Sequence, residues 1–378
     1  MFELYGRISD RIKKLVLPIV LSVLMVFAFV QHCFPTGQIV TDTITSQALK
    51  GNKLGDPDTR NITIYLPPGY ASSNKLYPVI HLLHGFGGDE RSLVGEVGEE
   101  LAVFLVDSMI ESGLAKEMII VMPNAKNKYG GSFYLNSELT GKYEDYMVYD
   151  LVNYIDDNYR TIRDRNARAI GGASMGGYGS ITLAMKHPDI FSSVVSLSPP
   201  LGFEIIASEM FPEVIRENPD GMPDPGQKAE QYTEYVYALS AALSPNLDNP
   251  PFFLDLPFEY PSSGVIESVK QRWLVGDPLT MLSTYSQSLE GLKGIYIDVG
   301  DEDLLGFKAA ADAFHEELIK LGIDHEYNVY HGDHYALPVE RFISALEFLS
   351  ARLPEPVASS AVSFNDKLIS TWGAIKQR

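Results

Sequence analysis

Apolar and polar positions alternate between two periods along this chain. Arg60–Tyr70, "RNITIYLPPGY", alternates residue by residue and stops at Pro67-Pro68-Gly69, which predicts an edge-type strand and a turn. Tyr77–Glu90, "YPVIHLLHGFGGDE", is a continuous apolar run ending in glycines, the pattern of a strand covered on both faces. "LAVFLVDSMIESG" reads as a helix closed by Gly113, and Glu117–Ala125 as another buried strand. Over Tyr143–Arg160, Val148, Leu151, Val152 and Ile155 fall on one face of a helix. "ARAIGGAS" is a strand, and the helix after it is stopped by Pro188. Strands are expected again at Phe191–Pro200, Gly294–Asp303 and His325–His334, with helices over 311–322 and 338–353. Strand and helix in turn predict an α/β fold, a mostly parallel sheet with helices on both faces.

The rhythm breaks between about 201 and 293, a stretch rich in proline and aromatics and too long for a simple loop. It is read as a cap inserted over the carboxyl ends of the strands. Phe252, Phe253, Phe258, Tyr260 and Trp273 would line a pocket there or, for most of them, form the cap's own small core. The organisation expected is a leader or anchor over 1–35, a linker over 36–58, the catalytic domain over 59–353 and a tail over 354–378.

The densest chemistry lies in "AIGGASMGGYGSITLAMKHP", Ala169–Pro188, where five glycines surround Ser174. Glycine is costly to order, so the cluster needs a reason. Gly172-Ala-Ser-Met-Gly176 is G-x-S-x-G, a sharp strand-to-helix turn that presents a serine hydroxyl. Alone the pentapeptide is a weak signal; between a strand and a helix it is a strong one. Residues two away from the serine must be small for strand and helix to meet. The Met175 N–H, at the helix start, would face developing negative charge.

A serine hydroxyl needs a base, and the chain order expected is serine, acid, histidine. His334 and its neighbour His331 share the loop after the last strand, and His334, behind the hinge Gly332, is preferred. His187, His315 and His325 stand at a helix end, mid-helix and at a strand start. The acid lies in "DVGDED". Asp298 is inside the strand pattern, and periodicity does not choose among Asp301, Glu302 and Asp303. A second oxyanion donor is expected from the Phe86 N–H in "HGFGGD". His84 precedes the serine, the wrong order for a base, and is given a supporting hydrogen bond. Tyr134 and Asn136, in "GGSFYLNS", are candidate substrate contacts.

Taken together, "ITIYLPPGY", "YPVIHLLHGFGGDE", "GGSFYLNS", the 143–161 helix, the Ser174 turn, "VGDEDLL" and "HGDHYAL" resemble the esterase D-like branch of the α/β-hydrolases. That branch includes S-formylglutathione hydrolases, feruloyl and acetyl-xylan esterases and the antigen 85 acyltransferases. The resemblance runs from Ile62 to Leu337 and leaves the insertion unmatched. It implies Asp303 as the acid and supports Ser174 and His334. Family members often carry an aspartate and a tryptophan after that histidine; here "HYALP" follows, which bears on substrate contact rather than on the base. The implied chemistry is acyl-ester hydrolysis through an acyl-enzyme, without a metal or organic cofactor. An acyltransferase using an alcohol acceptor shares the same machinery, and a surface binding protein with an idle hydrolase fold is the third reading.

Formal net charge over 378 residues is −19, which disfavours nucleic acid as a partner. The lone Cys33 forms no intrachain disulfide. Arg11, Lys13 and Lys14 precede the uncharged run Leu15–Val30, which reads as a signal peptide or uncleaved anchor engaging membrane or export machinery. A catalytic domain outside the cytoplasm would favour small-molecule, carbohydrate-linked, aryl or polymeric esters over a cytosolic thioester.

Overall fold

The computed structural model of the chain describes residues 36–359, apart from 96, 225–228 and 304–305. Eight strands make one sheet: β1 (Gln38–Thr45), β2 (Thr59–Leu66), β3 (Val79–Leu83), β4 (Ile119–Pro123), β5 (Arg168–Ala173), β6 (Ser193–Leu197), β7 (Gly294–Gly300) and β8 (Glu326–Tyr330). Their order is β1-β2-β4-β3-β5-β6-β7-β8. β2 is antiparallel to β1 and β4, and every pairing from β4 to β8 is parallel.

The helices are α1 (Glu99–Glu111), α2 (Met175–Lys186), α3 (Phe203–Glu217), α4 (Gln231–Leu243), α5 (Glu267–Leu274), α6 (Pro278–Glu290), α7 (Phe307–Leu321) and α8 (Pro338–Arg352). A further helical run over 143–158 contains a π-helical stretch, Tyr146–Leu151. The sheet separates two cores. Val79 and Leu83 of β3 pack with α2, α7 and the 143–158 run; Ile80 and Leu82, pointing the other way, pack with α1 and α8. This is why the strand reads as unbroken apolar sequence: burying each such side chain contributes about 1.5–3 kcal/mol, and both faces are covered.

One expectation changes, and two regions left open take shape. Residues 38–45, expected within a linker, form the edge strand β1, which puts β2 inside the sheet rather than at its edge. "QIVTDTIT" hides its alternation because most of its positions are only partly buried or exposed, and its place is set by backbone pairing with β2. The region 201–293 is largely helical, carrying α3 to α6. Phe258 and Trp273 pack on Phe211, at ring distances of 4.7 and 6.1 Å, and join the same core as the facing side of the sheet and α2. Of the tail, Val357–Ala358 pairs with Lys75–Leu76; 360–378 lies outside the described residues.

The expected export or membrane anchoring is also corrected. Among the described residues no helix is long and apolar enough to cross a membrane. The run 15–30, on which that expectation rested, lies outside the described residues.

Candidate active site

Strand register brings the site together. Leu83 pairs with Gly172, Ala173 with Leu197, and Gly300 with Tyr330, so the strands end on one rim. The segments leaving that rim carry the glycine loop, Ser174, Asp303 and His334.

Ser174 caps α2 with φ 57° and ψ −120°, a conformation that L residues rarely adopt. Its N–H donates to Leu197 O at 2.7 Å, which fixes the turn to the neighbouring strand. The glycines around it are required by contact distance. A Cβ on Gly176 would lie 2.1 Å from Leu83 O, one on Gly172 2.6 Å from the same oxygen, and one on Gly177 2.8 Å from Leu197 O. Gly179 leaves room for the Tyr134 ring, whose Cδ2 would be 2.3 Å from an added Cβ. Met175 opens α2, so its N–H has no intrahelical partner and points with the helix dipole.

His334 connects the other two groups. Its Nδ1 lies 2.8 Å from Asp303 Oδ2 and its Nε2 2.9 Å from Ser174 Oγ. The histidine side chain is 8% exposed and the aspartate side chain 0%. A carboxylate only accepts, so the Nδ1 proton sits on the aspartate side and Nε2 presents its lone pair to the serine hydroxyl. The Phe307 ring closes on the imidazole edge-on at 5.2 Å.

The loop bearing His334 is tied down from beneath. Asp298 is buried and takes Arg341 Nε at 2.9 Å and Nη2 at 2.8 Å, a two-pronged pair. Arg341 Nη2 also donates to Ser198 Oγ at 2.9 Å, and the Tyr330 hydroxyl donates to Asp333 O at 3.1 Å. Burial pushes the Asp298 carboxyl up, and the guanidinium opposes that shift. Asp298 is therefore a support of the loop. Its partner Arg341 escaped sequence reasoning because no spacing rule links a strand residue to a helix in another part of the chain.

The rival groups are placed elsewhere. His331 has an 85% exposed side chain and faces Asp301 at 3.2 Å, and Asp301 also takes the Gly332 N–H at 2.9 Å. Glu302 is exposed. His187 is paired with Glu144 at 3.0 Å, and His315 with His325 at 2.7 Å. His84 accepts the Ala125 N–H at Nε2 (2.9 Å), so its Nδ1 donates to Gly85 O (2.8 Å). Burial holds its pKa down to about 4, and it is a neutral brace for the glycine loop.

That loop runs against the serine: a Cβ on Gly85 would lie 3.5 Å from Ser174 Cβ. Gly87 N–H donates to Gly130 O at 3.0 Å and Gly88 N–H to Gly85 O at 3.2 Å, with Phe86 between them. The Phe86 ring and the Met175 sulfur both press on Gly131, where a Cβ would meet them at 2.9 and 2.4 Å. Tyr134 is fully buried and donates its hydroxyl to His84 O at 2.9 Å. The Asn136 amide pairs with Asp145 at 2.8 Å on an exposed surface. Both candidate contacts thus have structural partners. Sequence reasoning missed the residues of α3, α4 and α7 that face this rim, including Tyr235 and Phe307. For α4 the available signal was the three-residue spacing of Tyr232 and Tyr235 in "QYTEYVYALS".

A family model described as "Putative esterase" matches residues 56–348. An esterase of Mycobacterium tuberculosis is 31% identical over 143 residues, covering 37% of this chain and 29% of its own. The endo-1,4-beta-xylanase/feruloyl esterase of Xylanibacter ruminicola is 31% identical over 146 residues, covering 36% of this chain and 19% of its own. The chain spans less than a third of the length of these curated relatives. Among solved structures, a ferulic acid esterase superposes with TM-score 0.58 at 23% identity, covering 84% of this chain and 100% of that one. A fluorophosphonate-binding serine hydrolase of Staphylococcus aureus gives 0.57 at 18% identity, covering 83% and 99%. An S-formylglutathione hydrolase from Agrobacterium tumefaciens gives 0.53 at 19% identity, covering 84% and 96%. At these identities the structural likeness is one of fold.

Proposed function

The chain belongs to this esterase family of α/β-hydrolases, and from that premise we propose that it is a serine-type ester hydrolase whose nucleophile is Ser174, with His334 as base and Asp303 as the acid that orients it. The observation that carries the assignment is the continuous hydrogen-bonded line from Asp303 through His334 to Ser174, at 2.8 and 2.9 Å, on a serine with φ 57°.

In this mechanism Ser174 Oγ attacks the ester carbonyl carbon while its proton passes to His334 Nε2. Asp303 holds the Nδ1 proton and stabilises the imidazolium that forms. Negative charge gathers on the former carbonyl oxygen, and the N–H groups of Met175 and Phe86 receive it. One such donor is worth about 10²–10³ in rate. His334 returns its proton to the leaving alkoxide, and the acyl group stays on Ser174. A water, activated by the same histidine, then releases the acid. The helix N-terminus of α2 and the low exposure of the His334 and Asp303 side chains strengthen each of these charge interactions. The substrate is an ester. The finer reading, a small-molecule or carbohydrate-, aryl- or polymer-linked ester, is supported by the aromatic wall that Phe86, Tyr235 and Phe307 build beside the triad.

The test is hydrolysis of p-nitrophenyl esters from acetyl to dodecanoyl by the full chain, with Ser174→Ala beside it. Serine-dependent turnover and labelling of Ser174 by a fluorophosphonate are expected. Undiminished turnover in the Ser174→Ala protein would overturn the assignment.

A further inference from the structure

Tyr335 follows the base directly, in "HYALP", and at 69% exposure it is the most exposed aromatic residue among those described. A single aromatic on a surface is ordinary. The place of this one is not. Its ring meets the His334 imidazole at 5.1 Å and 88°, beside the contact that Phe307 makes with the same imidazole at 5.2 Å. An edge-on contact covers at most one face of the phenol ring, so a face stays open to solvent.

The ring is tethered at both ends. The Tyr335 N–H donates to Asp333 Oδ1 at 2.9 Å, and its hydroxyl accepts from Gln231 Nε2 at 3.3 Å. Gln231 opens α4, one turn before Tyr235, whose ring packs on Phe86 of the glycine loop at 5.6 Å. Tyr335 therefore reaches from the base loop to the helix that backs the oxyanion loop, and stands at the rim on the histidine side.

The chemistry decides which part of an ester comes here. His334 Nε2 gives its proton to the leaving oxygen, so that oxygen comes within about 3 Å of the imidazole. The alcohol carried on this oxygen then lies beside the histidine, while the acyl group stays on Ser174. A tethered, open aromatic face favours a rigid ring over a flexible chain, because the ring loses less freedom when it stacks. We propose that Tyr335 is a specificity-determining residue for the alcohol half of the ester: its open face stacks on a ring carried one carbon from the leaving oxygen. This inference rests on the esterase reading above.

The experiment compares benzyl, cyclohexylmethyl and heptyl acetates on the full chain, followed by acid release. All three leave the same acetyl group on Ser174, so only the alcohol differs. Methyl phenylacetate, the isomer of benzyl acetate with the ring on the acyl side, is set against methyl octanoate. The wild type is expected to favour at least one ring alcohol over the heptyl chain by about fivefold in kcat/KM, the worth of one aromatic contact. The benzyl and cyclohexylmethyl arms tell an aromatic partner from a saturated ring. Tyr335→Ala is expected to bring that ratio close to one and to leave the acyl-side ratio in place. Tyr335→Phe, which keeps the ring, is expected to keep both ratios. Equal kcat/KM for ring and chain alcohols in the wild type, a ring preference that survives Tyr335→Ala, or one lost in Tyr335→Phe, overturns this inference alone. Hydrolysis of the acetyl-enzyme, read in a single turnover of p-nitrophenyl acetate, takes place after the alcohol has left. A Tyr335→Ala protein that slows this step as much as it slows acylation also overturns the inference, since the residue would then merely hold His334. Absence of turnover on every ester, together with no fluorophosphonate labelling of Ser174, would sink the esterase reading and this inference with it.

Discussion

Replacing Gly176 by alanine sets two effects of opposite sign against each other. On an ordinary helix interior, Gly→Ala stabilises by about 1 kcal/mol, because glycine gives up more backbone freedom. Gly176 lies in the first turn of α2, where the added Cβ would stand 2.1 Å from Leu83 O, 2.7 Å from Leu83 C and 2.9 Å from His84 O. All three are backbone atoms, at the end of β3 and the start of the glycine loop, so no side chain can rotate away. Ordinary contact begins near 3.4 Å, and the helix or the strand end must retreat by about 1 Å to reach it. Overpacking of this kind costs about 1–3 kcal/mol, at or above the helix-propensity gain. The net expectation is a loss of up to about 2 kcal/mol, seen as a lower urea midpoint with an unchanged slope. The kinetic effect is larger than the thermodynamic one. The same retreat moves Ser174 and the Met175 N–H away from the Phe86 loop, and a 1 Å misplacement costs on the order of 10² in rate. The assay is kcat/KM on p-nitrophenyl butyrate together with urea unfolding. A Gly176→Ala protein with wild-type stability and wild-type kcat/KM would refute the packing account of the glycine cluster.

Asp303→Asn keeps the shape of the triad but offers His334 Nδ1 an amide, which favours the wrong tautomer; kcat is expected to fall on the order of 10⁴-fold, with folding unaffected by circular dichroism. Arg341→Met leaves the Asp298 carboxylate buried without its guanidinium and is expected to cost about 3–5 kcal/mol in urea unfolding. Adding Asp298→Leu to that protein should restore most of the loss, and a double variant no more stable than the single would refute the pairing argument. For Glu144, burial raises the carboxyl, but hydrogen bonds from His187 and Lys186 outweigh it and leave the pKa below the ordinary value. A lowered folded pKa stabilises above the unfolded value and is lost as pH falls through the folded one. The melting-temperature gap between wild type and Glu144→Gln should therefore be widest near neutrality and close below about pH 4, the ordinary carboxylate range. A gap independent of pH would count against it.

The parallel strands were legible because both of their faces are buried, which makes them unbroken apolar runs. β1 was not, since its half-exposed residues pair by backbone hydrogen bonds that carry no side-chain signature. The region 201–293 announced itself as an interruption, yet its aromatics did not declare which faced the triad. Phe258 and Trp273 turned inward to the main core beside Phe211, while Tyr235 packed on Phe86 of the glycine loop.

By itself the sequence determined the Ser174 turn, because G-x-S-x-G states a local steric requirement that neighbouring residues must meet. It narrowed the base to His334 or His331 and the acid to a loop, since strand ends place their loops on one rim. Only the tertiary structure separated the candidates. His331 and His334 are almost equally far from Asp303 along the chain, three residues apart themselves, but a hydrogen bond depends on direction as well as proximity. The packing of Gly300 against Gly332, whose oxygen would lie 2.3 Å from an added Cβ, turns His334 inward and His331 outward.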